Sequence, residues 1–263
     1  MSDQLGVLAD RIRAARRLTI LTGAGISAAS GVPTFRGEDG LWRRHRAEDL
    51  ATPEAFERNP RLVWEWYDWR RGKLAGCRPN AGHHVIAAWS GSDPGDGSYR
   101  GRTLVTDRLK VVVITQNVDD LHVRAGTRNL IRIHGSIWEL SCWDTCAKGA
   151  AGWRDERVPL DDLPPRCPHC GGFARPAVVW FGEALRTDHL RVALEATACD
   201  VFLTVGTSAV VYPAAGLVHD ARRQGAFTAE INLEATPASA AVDVALQGGA
   251  EVILPRLAEL ARL

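Results

Sequence analysis

The chain has 263 residues, of which 46% are hydrophobic and 24% are charged, a balance typical of a globular protein. This length suits one large α/β domain, or a main domain that carries a small inserted one. The formal net charge is +1, which argues against bulk attraction to nucleic acid or to an anionic membrane.

The first residues, MSDQLGVLADRIRAARR, have the pattern of an amphipathic helix. Leu5, Leu8, Ala9 and Ile12 fall on one face of such a helix. The segment lacks the apolar centre of a signal peptide, and no apolar run in the chain is long enough to span a bilayer. We therefore expect a cytoplasmic protein.

Short apolar runs that end at polar or glycine residues predict buried strands. These runs are RLTILTGAG, KVVVITQN, NLIRIHGS, RPAVVWFGE, VFLTVGTS and FTAEINLE. Helical stretches separate most of them, which favours a Rossmann-like, mostly parallel sheet covered on both faces. Ligands bind at the carboxyl ends of the strands in such α/β folds, so we expect the tips GAGIS, TQN, HGS, GTS and NLE to share one edge.

Two segments interrupt this pattern and predict a smaller inserted module within a single domain, 1–263. Residues 38–89 are rich in charge and tryptophan and have a helical pattern, with Pro53 near a helix start. Residues 138–174 contain two cysteine pairs and predict a small metal-binding module, called the cysteine module below. The glycine-rich stretch 90–101 is predicted to be a surface loop without a chemical role.

The sequence Gly23-Ala24-Gly25-Ile26-Ser27-Ala28 follows the first predicted strand and fits the pattern GxGxxA. Its glycines allow a tight turn, and the N–H groups of the next helix can bind a pyrophosphate. A plain turn between a strand and a helix is the alternative. A dehydrogenase would place an acidic ribose ligand about twenty residues further on. The chain continues instead into VPTFRG and a helical segment, which argues against hydride transfer.

The chain has six cysteines, and four of them form the two close pairs of the cysteine module. In a cytoplasmic protein this spacing favours a metal site over disulfides. Cys77 and Cys199 stand alone and are predicted to be small buried hydrophobic residues.

GAGISAASGVPTFRG, TQNVDDLH, HGS, the two cysteine pairs, VVWFGE, GTS and NLE together resemble the sirtuin family, in the family's own order. The resemblance extends from about residue 5 to residue 260. It implies an NAD-dependent protein deacylase. Sirtuins cleave the nicotinamide–ribose bond of NAD and transfer an acyl group from lysine to ADP-ribose, which gives nicotinamide and 2′-O-acyl-ADP-ribose.

The resemblance implies an extended NAD site. The cofactor-binding residues that it implies are Gly23, Ala24, Gly25, Ser27, Thr34, Phe35, Arg36, Gln116, Asn117, Asp119, Gly206, Thr207, Ser208, Asn232, Glu234 and Ala250. Phe35 would shield the ribose from water, and Arg36 would contact phosphate. Asn117 and Asp119 would line the nicotinamide pocket, with Gln116 beside the ribose hydroxyls.

At the adenosine end, Asn232 and Glu234 would contact the ribose, and Ala250 would contact adenine through its backbone. His134 matches the general base, because an imidazole titrates near neutral pH and can accept a proton from a ribose hydroxyl. His122 lies beyond TQNVDD on a predicted helix, and we interpret it as a packing residue.

For the cysteine module the resemblance implies one structural Zn²⁺. The metal ligands would be Cys142, Cys146, Cys167 and Cys170. Four thiolates leave no open coordination position, so the ion would be structural and not catalytic. The first pair departs from the usual spacing by one residue, and His169 lies within the second pair as a less suitable ligand.

Tyr67 and Arg70 resemble the Tyr-x-x-Arg pair of class III sirtuins, which bind negatively charged acyl chains. A guanidinium can bind the carboxylate of a succinyl or malonyl group with two parallel hydrogen bonds, and a tyrosine hydroxyl can add a third. Residues three apart on a helix share a face. Small side chains at Ala47 and Ala51 would widen the pocket. A surface arginine stacked on an aromatic ring is the alternative interpretation of Arg70.

The acylated lysine peptide would pair with Val179, Phe181 and Gly182 of the VVWFGE segment through its backbone. Three alternatives remain at this point. The enzyme could act mainly on acetyl-lysine, it could be a mono-ADP-ribosyltransferase with the same NAD site, or the chain could be a non-enzymatic zinc-binding protein. The near-neutral charge argues against a nucleic-acid partner for the last of these. A monomer is compatible with the sequence, which does not specify the oligomeric state.

Overall fold

The computed structural model describes residues 2–33, 41–42, 45–91 and 109–263. Within these residues, six parallel strands form one sheet in the order β11-β10-β9-β1-β4-β5. The strands are β1 (Arg17–Thr22), β4 (Lys110–Thr115), β5 (Leu130–Arg132), β9 (Val201–Val205), β10 (Phe227–Asn232) and β11 (Val244–Gln247). The predicted Rossmann-like sheet is thereby confirmed, with β11 as a strand that the sequence pattern did not indicate.

Helices cover both faces of this sheet. Alternate strand residues point to opposite sides, so the apolar strands give both faces side chains to bury. Ile20 of β1 packs in one core with α1 (Ser2–Ala14) and α9 (Ala250–Ala261). Leu21, the next residue, packs in a second core with α7 (Thr187–Glu195) and α8 (Leu217–Arg223). The apolar face predicted for α1 is confirmed, since Leu5, Leu8, Ala9 and Ile12 are all buried.

A second, three-stranded antiparallel sheet lies outside the parallel one. It has the order β7-β6-β8, with β6 (Gly135–Cys142), β7 (Trp153–Arg154) and β8 (Ala174–Val178). The apolar pattern of the run RPAVVWFGE predicted a strand of the parallel sheet. This prediction is wrong, because the run pairs antiparallel with β6. Gly135 makes this pairing possible. Its φ is +80°, and a Cβ there would lie 2.0 Å from the Ala177 carbonyl oxygen.

A third core lies between the small sheet and a group of helices. The group contains α2 (Ala47–Leu50), α3 (Pro53–Arg58) and α4 (Pro60–Ala75), preceded by a strand pair, β2 (Leu41–Trp42) and β3 (His45–Arg46). Thr52 caps α3 by accepting a hydrogen bond from the Ala55 N–H at 3.1 Å. Asn59 caps α4 in the same way through the Leu62 N–H at 3.1 Å. Each helix then begins with proline, which has no N–H to leave unsatisfied.

The helical segment predicted at 38–89 does not form one packing unit. Its last helix, α5 (Ala81–Trp89), packs against α9 and buries Val85, Ile86 and Trp89 in the core of the parallel sheet. The remaining short helix, α6 (Leu121–Arg124), follows β4. Among the described residues, no helix is long and apolar enough to cross a membrane.

Candidate active site

The carboxyl ends of four neighbouring strands meet at one edge of the parallel sheet. Thr22 of β1 pairs with Thr115 of β4 on one side and with Val205 of β9 on the other. Val205 in turn pairs with Ile231 of β10. The glycine and polar residues that follow these strands therefore lie side by side, as the sequence predicted.

The glycine turn after β1 lies against the turn after β9, backbone against backbone. The Gly25 N–H donates to the Gly206 carbonyl oxygen at 2.9 Å, and the Gly206 N–H donates to the Ile231 carbonyl oxygen at 2.9 Å. Gly206 has a φ of +61°, and a Cβ there would lie 2.4 Å from the Ile26 nitrogen. Glycine is thus required for the turns after β1 and β9 to approach each other. A 3₁₀ helix, Ala24–Ser30, begins directly after Gly23.

A buried cluster of polar side chains lies behind this turn. Ser27 Oγ donates to Asp119 Oδ2 at 2.7 Å and accepts from Asn117 Nδ2 at 3.2 Å. Asn117 Nδ2 also donates to the Gly23 carbonyl oxygen at 3.1 Å. Burial raises the pKa of Asp119 above the usual range of an aspartate. The Ser27 hydroxyl, in the turn that the motif assigns to phosphate binding, is fully buried and orients the Asp119 carboxylate.

His83 belongs to the same cluster, although the sequence analysis did not select it. The Asn80 N–H donates to Nδ1 of His83 at 3.3 Å, so the ring proton lies on Nε2, which is 3.4 Å from Ser27 Oγ. Burial lowers the pKa of His83 well below its usual value, and the nearby His122 adds to this effect. Asn80 caps α5, and an Asn-x-x-His pattern at a helix start is the signal that would have identified the pair.

His134 follows β5, next to the TQN turn. Its Nδ1 lies 2.9 Å from the Gln116 carbonyl oxygen. A carbonyl oxygen only accepts hydrogen bonds, so Nδ1 carries the proton and Nε2 has a free lone pair. Burial lowers the pKa of His134, and the bond to Gln116 opposes this shift. The imidazole is therefore neutral and basic at Nε2 at neutral pH.

His122 occupies a different environment. It is 2% exposed, and its Nε2 lies 3.0 Å from Thr22 Oγ1 under the sheet edge. Burial lowers its pKa to about 4. These contacts agree with the interpretation of His122 as a packing residue.

At the opposite end of the edge, Asn232 connects the turns after β9 and β10. Its Nδ2 donates to the Thr207 carbonyl oxygen at 2.7 Å, and its Oδ1 accepts from the Leu233 N–H at 3.0 Å. The Asn232 amide is thus bonded within the protein. Glu234 is exposed, and Ala250 is buried at the first residue of α9.

Glu230 of β10 is a second residue that the sequence analysis did not select. Thr236 Oγ1 donates to its Oε1 at 2.5 Å, and Ser239 Oγ donates to its Oε2. The buried carboxylate therefore fixes the loop that carries Glu234. Thr34, Phe35 and Arg36, which the resemblance assigns to the cofactor loop, lie outside the described residues.

Tyr67 of α4 lies in the third core, close to the VVWFGE segment, and Arg70, three residues further on, is half-buried. Trp180 Nε1 donates to the Tyr67 hydroxyl oxygen at 2.8 Å. Burial raises the pKa of Tyr67 to about 12, and the positive charge of Arg70 opposes this rise. The Arg70 guanidinium lies over the Trp66 ring at 5.0 Å, and burial lowers its pKa. Trp180 thus binds the Tyr67 hydroxyl inside the third core, with the Arg70 charge nearby.

The small residues predicted for the acyl pocket are part of the same core. Ala47 and Ala51 are both buried. The Ala51 carbonyl oxygen accepts a hydrogen bond from the Phe181 N–H at 2.9 Å. The structure therefore brings α2, α4 and the VVWFGE segment together around Trp180.

The VVWFGE segment is held from both sides. The Val179 N–H donates to the His134 carbonyl oxygen at 3.0 Å. Arg175 pairs with Glu183 through two nitrogen–oxygen contacts of 2.5 and 2.8 Å and stacks over Trp180, 3.6 Å from the ring centroid. Gly182, at a φ of +85°, provides the turn between them. Arg175 is a residue of this region that the motif pattern did not single out, whereas Trp180 is part of the VVWFGE motif itself.

The four cysteines of the cysteine module converge on one point. Their sulfur atoms lie within 4.8 Å of one another, with 3.5 Å between Cys142 and Cys170 and 3.8 Å between Cys146 and Cys167. Tetrahedral zinc–thiolate bonds of about 2.3 Å require sulfur–sulfur distances of about 3.8 Å. The donor set and its spacing fit one structural zinc ion, as predicted. Cys77 and Cys199 are buried elsewhere.

A model of the Sir2 family matches residues 23–213, about three quarters of the sequence. The chain belongs to the Sir2 family. The NAD-dependent protein deacylase 2 of Pyrobaculum aerophilum is 47% identical to this sirtuin over 253 residues, which cover 96% of this chain and 94% of that protein. The mitochondrial NAD-dependent protein deacylase sirtuin-5 of Canis lupus familiaris is 43% identical, covering 92% and 80% of the two chains.

A solved structure of a Sir2 homolog in complex with NAD superposes on this sirtuin with a TM-score of 0.85. The two chains are 41% identical, and the superposition covers 97% of this chain and 93% of that one. The fold, the family and the cysteine cluster agree with the sequence prediction. This sirtuin is an NAD-dependent protein deacylase that uses NAD and has a site for one zinc ion.

Proposed function

We propose that this sirtuin removes acidic acyl groups, such as succinyl and malonyl, from the lysine side chains of proteins and also removes acetyl groups. The products are nicotinamide and the 2′-O-acyl-ADP-ribose. The observation that carries the acyl preference is the hydrogen bond from Trp180 Nε1 to the Tyr67 hydroxyl oxygen.

This bond determines what the Tyr67 hydroxyl can do. Its oxygen accepts from the indole N–H, so its own proton is directed to another acceptor. Because burial raises the pKa of Tyr67 to about 12, the hydroxyl keeps its proton at neutral pH and remains a donor. A terminal carboxylate on the acyl chain would accept this proton in a charge-assisted hydrogen bond.

Arg70 provides the matching positive charge. Its guanidinium is on the same face of α4 as Tyr67, three residues further on. Burial lowers the pKa of Arg70, and Tyr67 and Asp119 oppose this shift, so a negative charge added nearby would further stabilise the guanidinium. An acidic acyl chain would supply that charge, whereas an acetyl group would not.

For the chemical step we assign the base to His134. NAD supplies an electrophilic ribose carbon and the nicotinamide leaving group. Nε2 of His134 would accept the proton of a ribose hydroxyl, since Nδ1 is bonded to Gln116 and Nε2 has the free lone pair. Asn117 and Asp119, held by Ser27, would orient the nicotinamide carboxamide.

The other cofactor contacts remain as the motifs predict them, with one refinement. Gly23, Ala24, Gly25, Gly206, Thr207 and Ser208 would bind phosphate and ribose through their backbone and hydroxyl groups. Since the Asn232 amide is bonded to Thr207 and Leu233, its role would be to hold the adenosine end in shape. Glu234 would then make the ribose contact there, with Ala250 beside the adenine.

The acylated peptide would lie along Val179, Phe181 and Gly182. The N–H groups of Val179 and Phe181 are bonded to His134 and Ala51. The substrate backbone would therefore pair with carbonyl oxygens of this segment or with the Gly182 N–H. A cytoplasmic location remains a prediction.

The acyl preference is tested with Tyr67→Phe and Arg70→Met, assayed on succinyl-lysine and acetyl-lysine forms of one peptide. Arg61→Met is the control, because Arg61 lies on the same helix with its side chain 73% exposed. We expect each pocket variant to lower kcat/KM for the succinyl peptide at least tenfold, as the loss of a charge-assisted bond of about 1.5 kcal/mol or more would do.

The acetyl peptide should change less than threefold in the same variants, and Arg61→Met should leave both peptides unaffected. Equal losses on the two peptides would remove the acidic-pocket assignment. A wild-type enzyme active on acetyl-lysine alone would establish the deacetylase alternative. Transfer of label from NAD to protein, without acyl-ADP-ribose, would establish the ADP-ribosyltransferase.

A further inference from the structure

We propose that Arg154 of the cysteine module is a positioning residue for the nicotinamide pocket, acting through Asp120. The inference rests on the proposed function, in which Asp119 lines that pocket. The cysteine module would then help to position a residue that binds NAD, in addition to binding metal and lying beside the peptide segment.

Asp120 is held in an unusual backbone conformation by a complete set of partners. Its φ is +61°, in the left-handed region, and its side chain is fully buried. Oδ2 accepts from Arg154 Nη1 at 2.7 Å, and Oδ1 accepts from Arg132 Nη1 at 3.1 Å and from Ser136 Oγ at 2.8 Å. A left-handed residue other than glycine persists when its surroundings fix it in this way.

The turn at Asp120 determines where Asp119 points. The two neighbouring carboxylates have separate sets of partners, since Asp119 bonds Ser27 Oγ at 2.7 Å and the Leu121 N–H at 2.9 Å. The Asp119 carbonyl oxygen accepts from Trp138 Nε1 at 3.1 Å. Asp119 is therefore placed in the nicotinamide pocket by bonds that the small sheet makes to its backbone and to the next residue.

The two arginines that bind Asp120 lie in different sheets. Arg132 is in β5 of the parallel sheet, whereas Arg154 is in β7, between the two cysteine pairs. A fully buried carboxylate depends on nearby positive charge. Arg154 is thus a link by which the cysteine module holds the loop after β4.

The contact between Arg154 and Asp120 can be removed while each arginine keeps a second carboxylate partner. Arg154 Nε also donates to Glu156 Oε1 at 2.7 Å, and Arg132 Nη2 donates to Glu139 Oε1 at 2.7 Å. With its side chain 44% exposed, Arg154 can also be replaced without opening a cavity. Variants of this position are therefore expected to fold.

The test uses Arg154→Met in the full-length, zinc-loaded enzyme. We expect the KM for NAD and the nicotinamide concentration for half-inhibition each to rise about fivefold, the change that a loss of roughly 1 kcal/mol produces. The KM for the acylated peptide should change less than twofold, because the VVWFGE segment is not touched. Arg154→Lys should restore most of the difference, since the contact with Asp120 is a single nitrogen–oxygen bond.

Glu156→Gln is the matched control, because it removes the other partner of Arg154 and leaves the bond to Asp120. It should have wild-type values. Asp120→Asn, which keeps the shape of the side chain and removes its charge, gives a second measurement and should repeat the NAD and nicotinamide effects. Unchanged nicotinamide inhibition in both Arg154→Met and Asp120→Asn, or equal changes in the NAD and peptide KM values, would overturn the proposal.

Failure of the underlying assignment has a different signature. If Asp119→Asn left nicotinamide inhibition unchanged while the enzyme still deacylated its peptide, the placement of Asp119 in the nicotinamide pocket would be wrong. A normal effect of Asp119→Asn, combined with a silent Arg154→Met, would contradict only the link through Arg154.

Discussion

The chemistry proposed for His134 depends on which ring nitrogen is protonated, and one backbone contact decides this. The Gln116 carbonyl oxygen holds the proton on Nδ1 and leaves Nε2 as the basic atom. Ser27 has a comparable position in the neighbouring cluster, where it accepts from Asn117 and donates to Asp119. Single hydrogen bonds thus set the direction of proton donation across the whole site.

The pH dependence of the reaction tests the environment of His134. Burial lowers the pKa of this imidazole, so its neutral, basic form persists below the usual value of about 6.5. The acidic limb of kcat/KM, which reports groups of the free enzyme, should therefore have its midpoint below about 6.5. His134→Ala should lower kcat by roughly 10²–10⁴ and abolish this limb. A midpoint above 7, or a fully active His134→Ala enzyme, would contradict the assignment.

At the scale of elements, α4 presents two successive arginines to different parts of the protein. Arg70 lies close to Tyr67 and over the Trp66 ring, 5.0 Å from the ring centroid. Arg71 is fully buried and bonds the carboxylate of Asp155 at 3.0 Å and its carbonyl oxygen. The Nε and Nη1 atoms of Arg71 have no hydrogen-bond partner in the part of the chain that is described. The buried charge of Arg71 therefore depends on Asp155, and the ion pair between them connects α4 to the cysteine module.

Replacing Asp155 should show how much this connection contributes to stability. Asp155→Ala would leave a buried guanidinium without its carboxylate, and we expect a loss of about 3–5 kcal/mol in the free energy of unfolding. Arg157→Met is the comparison, because Arg157 pairs with the same carboxylate but has a side chain that is 57% exposed. That variant should lose less than about 1 kcal/mol. Urea denaturation of both variants would measure the difference, and similar losses would contradict the role given to Arg71.

The sequence predicted the parallel strands and the edge at which they end, because buried runs and glycine turns are local signals. It could not predict the partner of the run RPAVVWFGE, since apolar residues do not specify which sheet they join. The placement of this run depends on Gly135 and its φ of +80°. His83 and Glu230 were missed for a related reason, since a buried polar residue is recognisable only through partners distant in sequence.

At the scale of the whole molecule, the residues of the proposed active site lie where two differently built parts meet. The parallel sheet supplies the glycine turns, the polar cluster and His134. The helices α2 and α4 and the small sheet supply Tyr67, Arg70 and the VVWFGE segment. The sequence motifs predict candidate residues in both parts, but the contacts between the parts, such as that of Trp180 with Tyr67, required the structure.

Metal removal tests the contribution of the cysteine cluster. Four converging thiolates predict one zinc per chain, and binding energy of the metal contributes directly to folding. Treatment with a chelator, or Cys170→Ala, should release the ion and lower the melting temperature. Cys199→Ala, a buried cysteine outside the cluster, should retain one zinc per chain. A metal content unaffected by Cys170→Ala would contradict the ligand set.

The acidic-acyl preference is the central claim, and the most direct measurement is a comparison of kcat/KM for the wild-type enzyme on succinyl-, malonyl- and acetyl-lysine forms of one peptide with NAD. Mass spectrometry of the products would identify the acyl-ADP-ribose in each reaction. We expect the succinyl and malonyl peptides to be the better substrates and each to give its acyl-ADP-ribose in equal amount with nicotinamide. A higher kcat/KM for the acetyl peptide than for both acidic ones would contradict it.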